Sequence, residues 1–253
     1  MPGEFLAPPR SGVFYEISIK RLFNSNVCLT LQKQFEKYMA ADKREHILSV
    51  AERLFGEKGF DGTSVRDIAQ AAGVNLAMIS YYFGSKEKLL EAMIELRFEY
   101  TYGILEELNK DQSLTPWDKI DRLVDFYVNR ILNNLPFHNL MFQEAIAFRS
   151  EEIKEKIIAM KMRNLQQINQ IIKDGQEKKL FRRVDIPMTV GTIIGTISSY
   201  TQSRVYSCNI LAIREDEDDD VFREKLSKRL KVHLKHLLRA HLDIRNDTGP
   251  VEN

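Results

Sequence analysis

Ala77, Ser80 and Tyr81 stand at i, i+3 and i+4 of one short segment, and Lys86 follows a Gly84-Ser85 break just beyond it. Small and polar side chains at that spacing share one face of a helix and let it sit deep in a groove. A lysine beside the free backbone amides of a helix N-terminus can hold a phosphate. The chemistry open to this set is recognition of duplex nucleic acid, not bond-making.

Three helices are needed to position such a face, and the spacing predicts them. Ile47, Val50, Ala51, Leu54 and Phe55 recur at i, i+3, i+4, i+7 and i+8, the core stripe of an amphipathic helix that Gly59 ends. Ser64-Val-Arg-Asp67 reads as a capping box opening a short helix with Val65, Ile68, Ala69 and Ala72 on one face. Gly73 breaks that helix, and Asn75 can cap the next, which runs to about Phe83. Helix, tight turn through a glycine, helix is the helix-turn-helix arrangement, whose second helix enters the major groove. Ser85 then caps a longer helix with Leu89, Met93 and Leu96 inward.

Other chemistries find little support. There is no G-x-S-x-G, Gly-rich phosphate loop or H-E-x-x-H, so no enzyme class is indicated and no cofactor or metal is expected. His233 and His236 lie three apart among lysines, which favours a solvated basic face over a metal site. The acidic run Glu215–Asp220 lacks the spaced ligands and glycine of a calcium loop. Cys28 and Cys208 are too few and too far apart for a disulfide framework. Net charge is only +1, but a local basic surface can be cancelled by that acidic run. With 43% hydrophobic and 29% charged residues, no membrane-length apolar run and no leader-like start, the expected location is the cytoplasm.

The chain divides by pattern into four parts. Residues 1–38 do not match the rest of the chain: Val13, Tyr15, Ile17 and Ile19 alternate like a strand without a partner. Either Met39 is the native start or these residues are a genuine, poorly ordered extension. Residues 39–97 hold the helix-turn-helix, residues 98–245 a larger helical domain, and residues 246–253 a tail expected to fray. In the larger domain Thr115-Pro-Trp-Asp118 starts a helix through Ile131, and Leu135-Pro136 breaks it. A short helix around 140–148 and a long one capped by Ser150 come next. Asp185-Ile-Pro187 opens another to about Leu211, and the last runs from about Asp220 to Leu242. The expected architecture is all-α with about nine helices.

Residues 43–97 resemble the DNA-binding domain of the TetR (tetracycline-repressor) family. The motifs that carry the resemblance are LF-x3-GF at 54–60, TSVRDIA at 63–69, AGV at 72–74 and YYFGSKEKL at 81–89. The resemblance implies a ligand-responsive repressor that binds a near-palindromic operator as a homodimer and is released by a small-molecule effector. It also implies DNA contacts at Ser64 and Arg66, then Leu76, Ala77, Met78, Ser80, Tyr81 and Tyr82, then Lys86. Ser64, Tyr81, Tyr82 and Lys86 would hold phosphates, and residues 76–80 would face bases. Many members carry tyrosine where this chain has Ser80, so that ring's operator contact is absent here.

Beyond residue 97 the resemblance is one of layout, and it implies a helical ligand-binding and dimerisation domain. Tyr100, Phe126, Tyr127, Phe137, Met141, Phe142, Met160 and Gln167 have the mixed aromatic, flexible and polar character of a pocket lining, although each alone reads more readily as core. Gly191 and Gly195 put small residues four apart. Ile194, Ile197, Leu226, Leu230, Leu234 and Leu237 add apolar surface, as internal core or as the four-helix dimer interface that the resemblance favours.

Overall fold

The computed structural model describes residues 26–142 and 151–246. Its helices are set by caps and glycines that are local and readable. Helix α1 (Asn26–Lys58) ends at Gly59, and α2 (Val65–Ala72) starts with Ser64 and Asp67 capping each other reciprocally. Gly73 follows α2 in the left-handed conformation at φ 63°, and its amide donates to the carbonyls of Ala69 and Gln70. A side chain is strained at that φ, so glycine is what allows so short a turn into α3 (Leu76–Phe83). Ser85 caps α4 (Lys86–Lys110), and Thr115 with Asp118 caps α5 (Pro116–Asn133).

The rest are α6 (Leu135–Phe142), α7 (Glu151–Glu177), α8 (Ile186–Thr201), α9 (Arg204–Leu211), α10 (Asp219–Leu242) and a 3-10 turn at Ile244–Asn246. Ten α-helices and a single β-bridge, Phe181 to Asp243, make up the regular structure among the described residues. None of those helices is long and apolar enough to cross a membrane.

The chain divides into two units, residues 1–46 and 47–253. The described part of the first is the leading stretch of α1, which begins well ahead of Met39. The strand-like alternation at 13–19, the expected helix end near 148, its successor's cap at Ser150 and most of the tail lie outside the described residues. One expected helix is two: the run from Asp185 to Leu211 breaks at Gln202-Ser203. Ser203 turns extended there, and its hydroxyl oxygen accepts from the Tyr206 amide, restarting the helix as a serine N-cap does.

Two hydrophobic cores fill the second unit. One joins Ile47–Phe55 of α1 to Ile68, Ile79, Phe83, Leu89, Met93, Ile94 and Phe98, and continues into Phe137, Leu140 and Ile157. The other joins Leu105 and the buried face of α5 to Ile168, Ile171, Ile193 and Ile197, closed by Leu226, Leu230, Leu234, Leu238 and Leu242. The last five recur at every fourth residue, so α10 lays one leucine stripe onto the core. Leu226, Leu230 and Leu234 are therefore inside the protomer rather than on the dimer surface expected for them, and Leu237 packs half-buried beside them.

Among the polar links between packed helices, two bear on the cavity described below. Glu52 of α1 is buried, and its carboxylate accepts from Arg97 Nε at 2.6 Å and Nη2 at 2.7 Å, a two-pronged bond to α4. His138 of α6 meets Ser198 of α8 at 2.9 Å. The Ser198 hydroxyl proton already goes to the Ile194 carbonyl, so the imidazole Nε2 must carry the donated proton. Burial, with the Arg130 charge adding, holds the His138 pKa down at about 4.

Arg97→Met should lose roughly 3 kcal/mol, because it strands a buried carboxylate. The double variant with Glu52→Leu should recover most of that loss. Urea unfolding of the four proteins of the cycle measures it, and a double variant no better than the single one would show that the charge is not the cause. For His138 the sign follows from its depressed pKa. The unfolded chain takes up a proton as pH falls through 6.5 and the folded chain does so only near 4, so stability is lost across that window. His138→Gln should flatten the pH dependence of unfolding between pH 6.5 and 4 and leave pH 7.5 little changed; equal slopes would rule out the buried neutral imidazole.

Candidate functional site

Helix α3 is held from behind and left open in front. Ile79 and Phe83 are buried in the first core, and Met78 and Tyr82 are half-buried. Asn75 Oδ1 accepts from the Ala77 amide at 3.0 Å and fixes the helix start. Ala77 and Ser80 are exposed, Leu76 is partly so, and Tyr81 is 84% exposed with its ring edge-on to Tyr82, centroids 5.3 Å apart. The sequence-predicted face is thus presented as one surface.

The turn ahead of α2 depends on Gly62, which the sequence reading passed over, and Thr63, which it named only as the start of the TSVRDIA motif. Thr63 is fully buried, and its hydroxyl lies 3.1 Å from the Leu54 carbonyl and 2.8 Å from that of Gly59, acceptors left over at the end of α1. Gly62 passes so close to the Lys58 carbonyl that an added Cβ would lie 2.3 Å from its oxygen. The glycine at 62 and the threonine at 63 were visible signals, a tight approach and a buried hydroxyl, but neither carries recognition chemistry itself.

The flanking contacts sort into free and committed donors. Arg66 is exposed and has no acidic partner among the described residues. Lys86 lies at the start of α4 with its ammonium 4.2 Å from the Phe60 ring centroid, a cation–π contact that aims it beside the helix N-terminus. Ser64 differs: its amide and its hydroxyl both donate to Asp67 Oδ2, at 2.8 and 2.6 Å. Those bonds hold the Asp67 carboxyl below the usual carboxylate range. Both donors of Ser64 are therefore engaged in the capping box, not offered to a phosphate.

Farther along the chain, helices α4 to α8 enclose a cavity of about 770 Å³. Tyr100, Phe126, Tyr127, Phe137 and Met141 line it, as expected from their character. Met160 and Gln167 do not. Met160 packs against the first core, and the Gln167 amide is tied to Asn109 at 2.8 Å across α4 and α7. The Phe142 side chain lies outside the described residues. Sequence reasoning missed the polar lining: Arg97, Asn129, Arg130, Asn133, Asn134, His138, Lys161 and Asn164. Gly191 and Ile194 of α8, read as interface residues, form part of this wall too. No cluster of three or more metal-ligating side chains occurs among the described residues.

Two family profiles match: "Bacterial regulatory proteins, tetR family" over residues 47–93, and "Tetracyclin repressor-like, C-terminal domain" over residues 113–202. Together they cover more than half of the chain. Among curated relatives, the probable HTH-type transcriptional regulator YttP of Bacillus subtilis is 27% identical over 150 residues, 59% of this chain and 72% of that protein. The HTH-type transcriptional repressor NicS of Pseudomonas putida is 29% identical over 147 residues, 55% of this chain and 66% of that one. Among solved structures, the TetR family transcriptional regulator PfmR from Thermus thermophilus aligns with a TM-score of 0.54 at 26% identity, over 73% of this chain and 97% of its own. With an exposed α3 face at the place the first profile covers, and a helical domain under the second, this chain belongs to the TetR family of bacterial helix-turn-helix, DNA-binding transcriptional regulators, a family that is not enzymatic.

Proposed function

We propose that this protein is a cytoplasmic repressor that binds a near-palindromic operator as a homodimer and leaves it when a small-molecule effector fills the α4–α8 cavity. The observation that carries the reading is α3: buried Ile79 and Phe83 anchor it while Ala77, Ser80 and Tyr81 stay open to the groove. Leu76 and Met78 then offer apolar contact to thymine methyls, and the Ser80 hydroxyl reads base edges with little discrimination. Arg66, Tyr81, Tyr82 and Lys86 are the phosphate contacts. Ser64 reaches a phosphate only if its capping box opens.

Support for the dimer comes from α8 and α9. Gly191 and Gly195 are exposed, and an added Cβ at either meets nothing within 4 Å among the described residues, so none of these requires glycine there. Met188, Val205, Tyr206 and Ile210 leave large apolar side chains exposed on the same two helices. A two-fold dimer through this surface presents two α3 helices to successive major grooves. Support for effector release comes from α4, which carries Lys86 at one end and the cavity residues Arg97, Phe98 and Tyr100 farther along.

Selection of bound sequences from random duplex DNA at physiological salt should return a near-palindrome with half-sites about one helical turn apart or somewhat more. No enrichment over non-specific binding would overturn the repressor reading. On the selected site, Lys86→Ala should weaken binding to all sequences alike and flatten the log affinity against log salt slope by about one unit. Ser80→Ala should alter base preference at one position per half-site and leave that slope unchanged. A salt slope unmoved by Lys86→Ala would remove this lysine from the phosphate set.

A further inference from the structure

The cavity lining is chemically lopsided. Among the described residues its charged groups are Arg97, Arg130 and Lys161, with no aspartate or glutamate. Arg97 is neutralised by Glu52. Arg130 is not: among the described residues its guanidinium makes no ion pair or hydrogen bond, and its one contact is with the Tyr127 ring, 6.0 Å from the centroid. An arginine stays protonated in a protein, so this is a standing, partly desolvated positive charge facing an open space. Burial works against that charge and Arg97 adds to it, with Tyr127 and Glu52 offsetting only part, so an anion in the cavity would stabilise it further.

A second, independent group faces the same space. Asn164 is only 6% exposed, and no described residue accepts from its Nδ2 hydrogens, so this donor is open to an occupant's anionic head; its Oδ1, an acceptor, also lacks a partner, which an anion does not supply. A buried amide left unsatisfied is costly in a folded protein and marks a place where a partner is missing. The remaining wall is apolar, with Phe126, Phe137, Leu165, Val190 and Ile194. The volume suits a small organic molecule rather than an inorganic ion.

We infer that the effector is an amphipathic organic anion, its apolar body lying among the aromatic and aliphatic walls and its single anionic head group paired with Arg130 and hydrogen-bonded by the Asn164 amide. This inference rests on the effector-cavity reading above and adds the ligand's chemical class. A guanidinium and an amide offer donors to a carboxylate or a phosphate alike, so the shared feature is a compact anionic head.

The test uses the full-length protein and four probes sharing one tail, each below its micelle threshold: dodecanoate, dodecyl phosphate, dodecanol and dodecyltrimethylammonium. Calorimetric titration should give at least one of the two anions an affinity about tenfold or more above dodecanol, with the cation weakest. Arg130→Met should erase the preference for anion over alcohol while leaving alcohol binding within a few fold. Asn164→Leu should raise the melting temperature of the free protein and still weaken the anion, a combination that a merely structural residue does not produce. The order of the two anions sorts carboxylate from phosphate.

Ile194→Trp, which fills the cavity, separates the two ways of failing. Equal binding of anions and alcohol that is lost in Ile194→Trp overturns the anion inference and leaves the effector cavity standing. So does an anion preference that survives Arg130→Met. Binding of no probe at all, or binding unchanged by Ile194→Trp, defeats the cavity reading and the inference with it.

Discussion

Helix α4 belongs to both hydrophobic cores, and the arrangement of the rest follows from that. Leu89, Leu90, Met93, Ile94 and Phe98 are buried against the helix-turn-helix, whereas Leu105 is buried in the core closed by α10. Each such side chain contributes about 1.5–3 kcal/mol by leaving water, so neither end of the helix can detach cheaply. Between the two sets lies Arg97, fixed to Glu52 on α1 by two short bonds. A close-packed interior passes displacement on rather than absorbing it. A helix held this way transmits what happens at one end to the other, and α1, whose Ile47–Phe55 stripe backs the helix-turn-helix core, is coupled to it through a charge pair as well as through packing.

The DNA-reading face illustrates how a surface can be specific without being charged. Its centre is Ala77 and Ser80, which add almost no bulk, and the cations stand at the rim, Arg66 on α2 and Lys86 at the head of α4. In the proposed contact scheme, small residues would allow close approach of the helix backbone to base edges, and the rim cations would position it on phosphates. Net charge of +1 is compatible with this because attraction is local: acidic residues in Glu215–Asp220 offset the total without lying in the helix-turn-helix.

Most of the helix-turn-helix was legible in the sequence because its determinants are local. Ser64 with Asp67, Gly73, Asn75 and Ser85 fix the ends of α2, α3 and α4 through bonds spanning two to five residues, and each was readable as a cap or a break. The larger domain was less legible where the decisive contacts are distant. The leucines of α10 form the same stripe whether they face their own core or a second chain, and only the three-dimensional packing assigned them to the core. The break at Gln202-Ser203 contains neither glycine nor proline, so only a serine cap marks it. Arg122 and Arg130 lie on the same helix and look alike in sequence; one is exposed and the other faces the cavity, a difference made by helices α6 to α8.

The polar side chains of the cavity were missed for the same reason, and their placement says what kind of device the domain is. A core built only for stability pairs or removes its buried polar groups, because an unpaired one costs more than its hydrogen bond would return. This domain pairs Glu52 with Arg97 and gives the His138 imidazole Ser198, but among the described residues it gives the Arg130 guanidinium no hydrogen bond or ion pair and the Asn164 amide no partner. Other buried atoms without partners, on Asp121, Arg163 and Glu217, lie elsewhere, while Arg130 and Asn164 line the same cavity as Arg97. An occupant that satisfied them would bind tightly to any arrangement of helices bringing Arg130 and Asn164 to it, and less tightly to others. That difference in affinity is the only quantity by which a ligand can shift a conformational equilibrium. On the proposed effector reading, a wall that keeps stability-costing polar groups beside the helix shared with the helix-turn-helix core would place the effector's leverage where α4 is most firmly coupled to α1.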